Sequence, residues 1–553
     1  MITLKRKYLR IFIVTTVLLL IISTGALFLL HAYLPEVISE RIREELKQQL
    51  NPTTDELYEF QINEVKFSTF FTTISIPGIL LYPPENFLKD DPHKFPLHIY
   101  KAEISDLKAS FFPFLFLAAG MKNVNFKMVQ AESIFLRIYT NTHGKEISDK
   151  NADNNNIESL GFERVRIGEI KIEQLALSDT SQILFDASQI QLLGRIILPG
   201  TENLVSENIQ MEEYHLAISS TGFSNSRSLF LFQTDTVSIN GNEGIISVSR
   251  AKMVPRHSKQ EFHKHIKFEA ERIEAYIERI ELDGFNINRA ISEEVIAFSK
   301  ITLGGGEVDV LRDRRPPFND EQRPAMPSRM ISELPVGLLI REININKTDV
   351  FYSEVLDNSD ASGVSEITGK IPFERLEVTI SNLSNLADSL DSDSIMHISA
   401  QADIFENTRL KSEFKYNLKD INGGYSASGE LTTLDFEVIN PVLYPITGIK
   451  VKEGIHKNSK FYFSGNDIES SGELYMTWTD LLLDITPDAG GFISSITRFA
   501  GKNLYHSDRI DNADDPSGEI EFDRDVTRFA FHYWWNCYLS GIKNSVLRDH
   551  VPL

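Results

Sequence analysis

The chain has 553 residues, 42% of them hydrophobic and 10% aromatic, which excludes intrinsic disorder and exceeds what one compact core holds. Its 78 acids against 56 bases give a formal charge of −22, so the whole chain lacks the basic footprint that nucleic-acid binding requires. Cys537 is the only cysteine, which rules out an intrachain disulfide and any cysteine-built metal site.

Lys5, Arg6, Lys7 and Arg10 precede Ile11–Leu30, a stretch without a charge. About twenty helical residues rise roughly 30 Å, the thickness of a bilayer's hydrocarbon core. The pattern predicts a cytoplasmic tail (1–10), a transmembrane signal anchor (11–30) and a stalk helix (31–50). The stalk carries Ile38, Ile42 and Leu46 on one stripe and Glu36, Glu40, Glu44 and Glu45 around it. Four bases before the span, against a flank containing Glu36, Glu40, Glu44 and Glu45, orient the N-terminus inward. The expected localisation is thus a single-pass inner-membrane protein with its bulk in the periplasm. A cleaved signal peptide is the competing reading, but "LFLLHAYLPEV" offers no small-x-small cleavage site. No second stretch is long enough to span; "FFPFLFLAAG" (111–120) is short and interrupted by Pro113.

From about residue 55 the hydrophobic period becomes two, as in "YEFQINEVKF", "IREININ", "ERLEVTI" and "SKFYFSG". In "IGEIKIEQLALSDTSQILFDASQIQLLG" (167–194), Ile170 and Ile172 share one strand face and Lys171 and Glu173 the other, solvent-facing one. Leu175 and Leu177 resume the apolar pattern after an offset. Ile343, Ile345, Val378, Phe461 and Phe463 are inward by the same alternation. The organisation read from these patterns is an N-terminal β-rich region (51–311), a Pro/Arg-rich linker (312–335) with five prolines and five arginines, and a C-terminal β-rich region (336–502). The linker's arginines read as solvated, with anionic headgroups as the alternative contact.

The last segment (503–553) is a polar loop and an aromatic helix. "RDVTRFAFHYWWNCYLSGIKNSVL" (524–547) holds six aromatics between Phe529 and Tyr538. Val526, Phe529, Tyr533 and the Trp534/Tyr538 pair fall along one helical face. Trp534 and Trp535 are candidate membrane-interface residues; packing on the end of the sheet is the plainer reading. No nucleophile elbow, zinc-protease helix, P-loop, dinucleotide fingerprint or EF-hand loop occurs. His257, His263 and His265 lie close together, His263 and His265 on one face of an expected strand. Lys259, Lys264 and Lys267 disfavour a divalent cation there, so a solvated strand edge is expected. The reading is a non-enzyme without catalytic residues, metal or cofactor.

Read as a whole, the chain resembles the AsmA-like family in the form found in Bacteroidota. The parts that carry the resemblance are the anchor and stalk, then "IYKAEISDLKASFFPFLFLAAGMKNVNFKMVQAESIFLRIY", a strand leading through an apolar segment to paired strands. "LPVGLLIREININKTDVFYSE" with "GKIPFERLEVTISNLSN", then "DFEVINPVLYPITGIKVKEGIHKNSKFYFSGND" and the closing "GEIEFDRDVTRFAFHYWWNCYLSGI", follow in order. The resemblance implies a mainly β fold, an elongated twisted sheet curled into a groove, with short helices at both ends. It also implies a role in outer-membrane biogenesis or homeostasis, with phospholipid carried along an apolar lining at about 0.8 kcal/mol per buried methylene. The expected partners are the inner-membrane bilayer, a phospholipid ligand and envelope proteins, not nucleic acid. Ile170, Ile172, Leu175, Leu177, Ile343, Ile345, Val378, Phe461 and Phe463 would then line the lipid path. The alternative is a non-catalytic periplasmic scaffold or assembly factor with closed β-sandwich domains, because alternation buries one face in either case.

Overall fold

The computed structural model describes residues 40, 59–63, 65–68, 72–82, 99–111, 123–139, 159–175, 181–199, 210–223, 228–356, 369–386, 394–405, 407–420, 422–447, 449–485, 505–510 and 517–547. The chain forms two units, Met1–Ser226 and Arg227–Leu553.

The first unit consists of strands β1 (Glu59–Ile62), β2 (Lys66–Phe67), β3 (Thr73–Tyr82), β4 (Ile99–Phe111), β5 (Asn123–Tyr139), β6 (Ser159–Leu175), β7 (Ser181–Pro199), β8 (Gln210–Ile218) and β9 (Ser220–Phe223). Both β1 and β2 pair antiparallel with β3, and β3–β4–β5 continue antiparallel. The β5–β6 pair is parallel; β6–β7 is antiparallel, and β7 pairs antiparallel with both β8 and β9. A small core gathers at Val65, Ile74 and Ile76, with Phe67, Leu107 and Phe126 packed on it. Phe126 stacks on Phe162 of the parallel partner with ring centroids 5.6 Å apart.

The second unit begins with β10 (Phe230–Thr234), β11 (Thr236–Asn240), β12 (Ile245–Pro255), β13 (Ala270–Asp283), β14 (Val295–Asp313), β15 (Gly337–Val355), β16 (Ile371–Ser384) and β17 (Ile395–Ile404). It ends with β18 (Thr408–Asn417), β19 (Tyr425–Leu431), β20 (Leu434–Asp435), β21 (Ile449–Gly465), β22 (Glu469–Ile485) and β23 (Gly518–Asp523). Its helices are α1 (Ile287–Ser292), α2 (Pro327–Ser332), α3 (Asn440–Thr447) and α4 (Ala530–Val546). Neighbouring strands are antiparallel except β14–β15, which run parallel over their whole length. Strand pairing is interrupted between Ile345 and Thr348, where Lys347 takes a positive φ of 49° and the strand bulges.

A parallel pair needs a crossover of a dozen or more residues. The Pro/Arg-rich segment supplies the one between β14 and β15, so it lies inside the second unit. It is packed rather than loose. Met326 is fully buried, Pro327 opens α2 as a first-turn proline, and Gln322 donates to Thr527 O at 2.8 Å. Arg312 pairs with Glu269 at 3.0 Å, Arg314 with Glu354 at 3.0 Å, and Arg315 with the buried Asp313. With Arg329 paired to Glu333 at 3.0 Å as well, carboxylates of this unit hold four of the five arginines.

The mainly β fold with a few short helices matches the expectation; the transmembrane helix in it is corrected. No helix among the described residues is long and apolar enough to cross a membrane. The predicted span at 11–30 lies outside the described residues, as does the stalk apart from Glu40. Single-pass inner-membrane topology and a bilayer partner thus have no helix in the described fold to rest on. The histidine segment is corrected too. Phe262 is fully buried and anchors a 3-10 turn, Phe262–His265, in place of a strand. His265 stacks on His257 at 3.4 Å with planes 5° apart, and burial together with that neighbour lowers the His257 pKa.

Candidate functional site: the helix-capped end and its outer groove

The main core of the second unit sits where α4 lies across the inner face of β18, β19 and β21–β23. Alternation fixes which side chains meet it. In β21, Phe461 and Phe463 are buried while Tyr462 between them is 52% exposed. Leu474, Met476 and Trp478 of β22, Tyr425 and Ala427 of β19, and Ile520 of β23 extend the same buried face. Helix α4 presents Ala530, Tyr533, Cys537, Gly541 and Ser545 to it at three- and four-residue spacing. Gly541 is needed for the approach: a Cβ there would meet Ile520 Cγ1 at 2.8 Å and Leu474 Cβ at 3.0 Å.

Aromatic contacts fill the interior. Phe461 packs against Phe463 at 5.8 Å and edge-on against Tyr538 at 5.2 Å; Tyr425 packs against Tyr533 at 5.9 Å. Three serines among the polar groups buried here are hydrogen-bonded. Ser459 Oγ lies 3.2 Å from Tyr538 Oη, Ser470 Oγ 2.8 Å from Cys537 Sγ, and Ser517 Oγ donates to Leu474 O at 2.9 Å. Burial pushes the Tyr533 hydroxyl up to about 12, and raises Tyr416, Tyr425 and the Cys537 thiol above their ordinary values. These groups stay protonated at neutral pH, so neither a thiolate nor a phenolate forms in this core.

On the opposite face, the outward residues of β18, β19, β21 and β22 floor a groove of about 1170 Å³. Lys415, Ser426, Ser464 and Ser471 are in register across four strands, and Glu413, Ser428, Tyr462 and Glu473 form the adjacent row. Lys543 and Asn544 at the end of α4 wall one side. A floor of serines with charged and aromatic flanks suits a hydrogen-bonding partner, not an acyl chain. The sequence reading missed this row because it did not take "YSASGEL" (425–431) as a strand; its alternation of Tyr425 and Ala427 with Ser426 and Ser428 is the signal.

The residues expected to line one lipid path divide among three settings. In the first unit, Ile170 faces Ile134 and Ala187 across its two neighbours, and Ile172 faces Leu136 and Phe185; both are half-buried. Leu175 ends β6 and its side chain lies outside the described residues, as does all of Leu177. In the second unit, Ile343 pairs with Ile301 and Ile380, and Ile345 with Leu303 and Val378, again half-buried. Phe461 and Phe463 are enclosed under α4 as described. Trp534 turns inward onto Phe414 at 4.7 Å, whereas Trp535 is 47% exposed, so the two tryptophans do not share a surface.

Glu173 departs from its expected solvent position. Its carboxylate is buried between Arg137 at 2.6 Å and Lys171 at 2.9 Å. Burial alone would raise its pKa, but hydrogen bonds from Lys171 and Arg137 outweigh it and hold the group below the usual range. Among the described residues no group of three or more His, Cys, Asp or Glu side chains is placed to hold a metal. No protein-family model matches the chain, and no characterised protein matches its sequence.

Proposed function

We propose that the chain is a non-catalytic scaffold or assembly factor, whose second unit is closed on its inner face and meets a protein partner on its outer one. One observation carries this reading: side chains of α4 fill the space behind Phe461 and Phe463 that an acyl chain would occupy. The closure differs from the sandwich of the alternative reading, because a helix and not a second sheet covers the face. The membrane-anchored phospholipid carrier is not retained. Neither a spanning helix among the described residues nor an open interior at Phe461 and Phe463 supports it. The AsmA-like resemblance contributes only an order of parts to the proposal.

The test uses the purified full chain. Organic extraction followed by lipid mass spectrometry is expected to recover no stoichiometric lipid. A photo-crosslinking residue at Tyr462, on the groove floor, is expected to capture a protein partner in cells. Lipid at one mole per mole of chain, with no protein captured at Tyr462, would overturn the scaffold reading.

A further inference from the structure

Helix α4 has a second apolar stripe, on the side away from the core. Phe531, Trp535 and Leu539 are 60%, 47% and 37% exposed, and Val526 and Phe529 just before the helix are 44% and 52% exposed. Four-residue spacing puts the three helical residues on one line, about 80° from end to end at 100° per residue. The buried residues Tyr533, Cys537 and Gly541 lie on the opposite side. A run of large exposed side chains on one surface element marks an interaction site more than scattered single ones do.

Charge and area both select the occupant. The chain carries 78 acids, yet none falls between Val526 and Arg548. Two copies of so acidic a chain repel through most of their surface, and this helix is a place where they meet without opposing carboxylates. The stripe is also self-complementary. A two-fold axis through Trp535 sets Phe531 of one copy, one turn before it, against Leu539 of the other, one turn after it. With about 150–250 Å² for a large aromatic side chain, the three exposures on the stripe amount to roughly 300 Å² per copy. A pair thus supplies roughly 600 Å² of apolar area, the centre of an interface at the small end of the usual range.

We infer that the exposed face of α4 is a homodimer interface, two copies packing antiparallel through Phe531, Trp535 and Leu539 about an axis at Trp535. The inference is independent of the scaffold reading, since it concerns the other side of the helix. Light scattering on the full chain at 50 µM, roughly the range for a moderate interface, is expected to give twice the chain mass. Trp535→Glu is expected to give the chain mass with an unchanged far-UV circular dichroism spectrum, because within one copy the side chain it replaces is 47% exposed. Oxidation of Trp535→Cys is expected to link two copies. Lys543→Cys, about 24 Å from its counterpart across the axis, is expected not to. A monomeric wild-type chain, a dimeric Trp535→Glu variant, or equal linking at both cysteines would overturn the inference. So would a monomer that binds zwitterionic vesicles through Trp535 instead.

Discussion

Replacing Trp478 with alanine is expected to cost about 3–5 kcal/mol of unfolding free energy in the second unit. Trp478 is fully buried in the core beneath α4, and its Nε1 donates to His506 O at 3.1 Å. Its backbone also exchanges hydrogen bonds with Arg509 at 3.0 and 2.9 Å, tying the segment at Arg509 to β22. Truncation removes a large apolar volume and leaves the His506 carbonyl without its donor, two penalties in the same place. Trp478→Phe keeps most of the volume and is expected to lose roughly 1–2 kcal/mol. Urea unfolding followed by near-UV circular dichroism measures both. Equal losses for the two variants would mean that the cavity is not the dominant effect.

Acidification is expected to destabilise the same unit by about 3 kcal/mol through a single histidine. His456 faces Trp478 across β21 and β22, is 1% exposed, and has Nδ1 2.9 Å from Thr432 O. Burial pushes its imidazole down to about 4 from an ordinary value of 6.5. Above pH 6.5 it is neutral whether the chain is folded or unfolded, and it contributes no pH dependence. Between pH 6.5 and about 4 the unfolded chain takes up a proton that the folded one refuses, and stability falls by about 1.4 kcal/mol per pH unit. Below about 4 both forms are protonated and this contribution levels off. Denaturation of wild type and His456→Gln at pH 7 and pH 4.5 isolates the effect, since the remaining carboxylates titrate in both. Parallel pH curves for the two proteins would rule it out. The histidine and Trp478 touch the same core, so their losses are not expected to add.

Local patterns in the sequence carried much of this architecture. In "SKFYFSG" the period of two gives the buried Phe461 and Phe463 and the exposed Tyr462 directly. The aromatic helix was legible from its period, and Tyr533 does lie on its buried face. Its orientation was not. Val526 and Phe529, assigned to that face, precede the helix and are exposed, and the stripe through Phe531, Trp535 and Leu539 went unread. Glu173 was misplaced because its environment is set by Arg137, 36 residues away on the parallel neighbour. No local alternation encodes such a partner. His263 and His265 alternated like strand residues, but burial of Phe262 beside them fixed a helical turn instead. The crossover at 314–336 looked like a linker for a related reason: prolines report that a strand stops, not what the chain then packs against.

The central claim is that the inner face of the C-terminal sheet is closed by the chain's own helix. A photo-crosslinking phenylalanine analogue at Phe461, whose ring lies 5.2 Å from Tyr538, tests it most directly. Peptide mapping after irradiation in cells is expected to place the adduct within 530–546 of the same chain. Recovery of lipid, or of any second molecule, attached at Phe461 would contradict the closed interior.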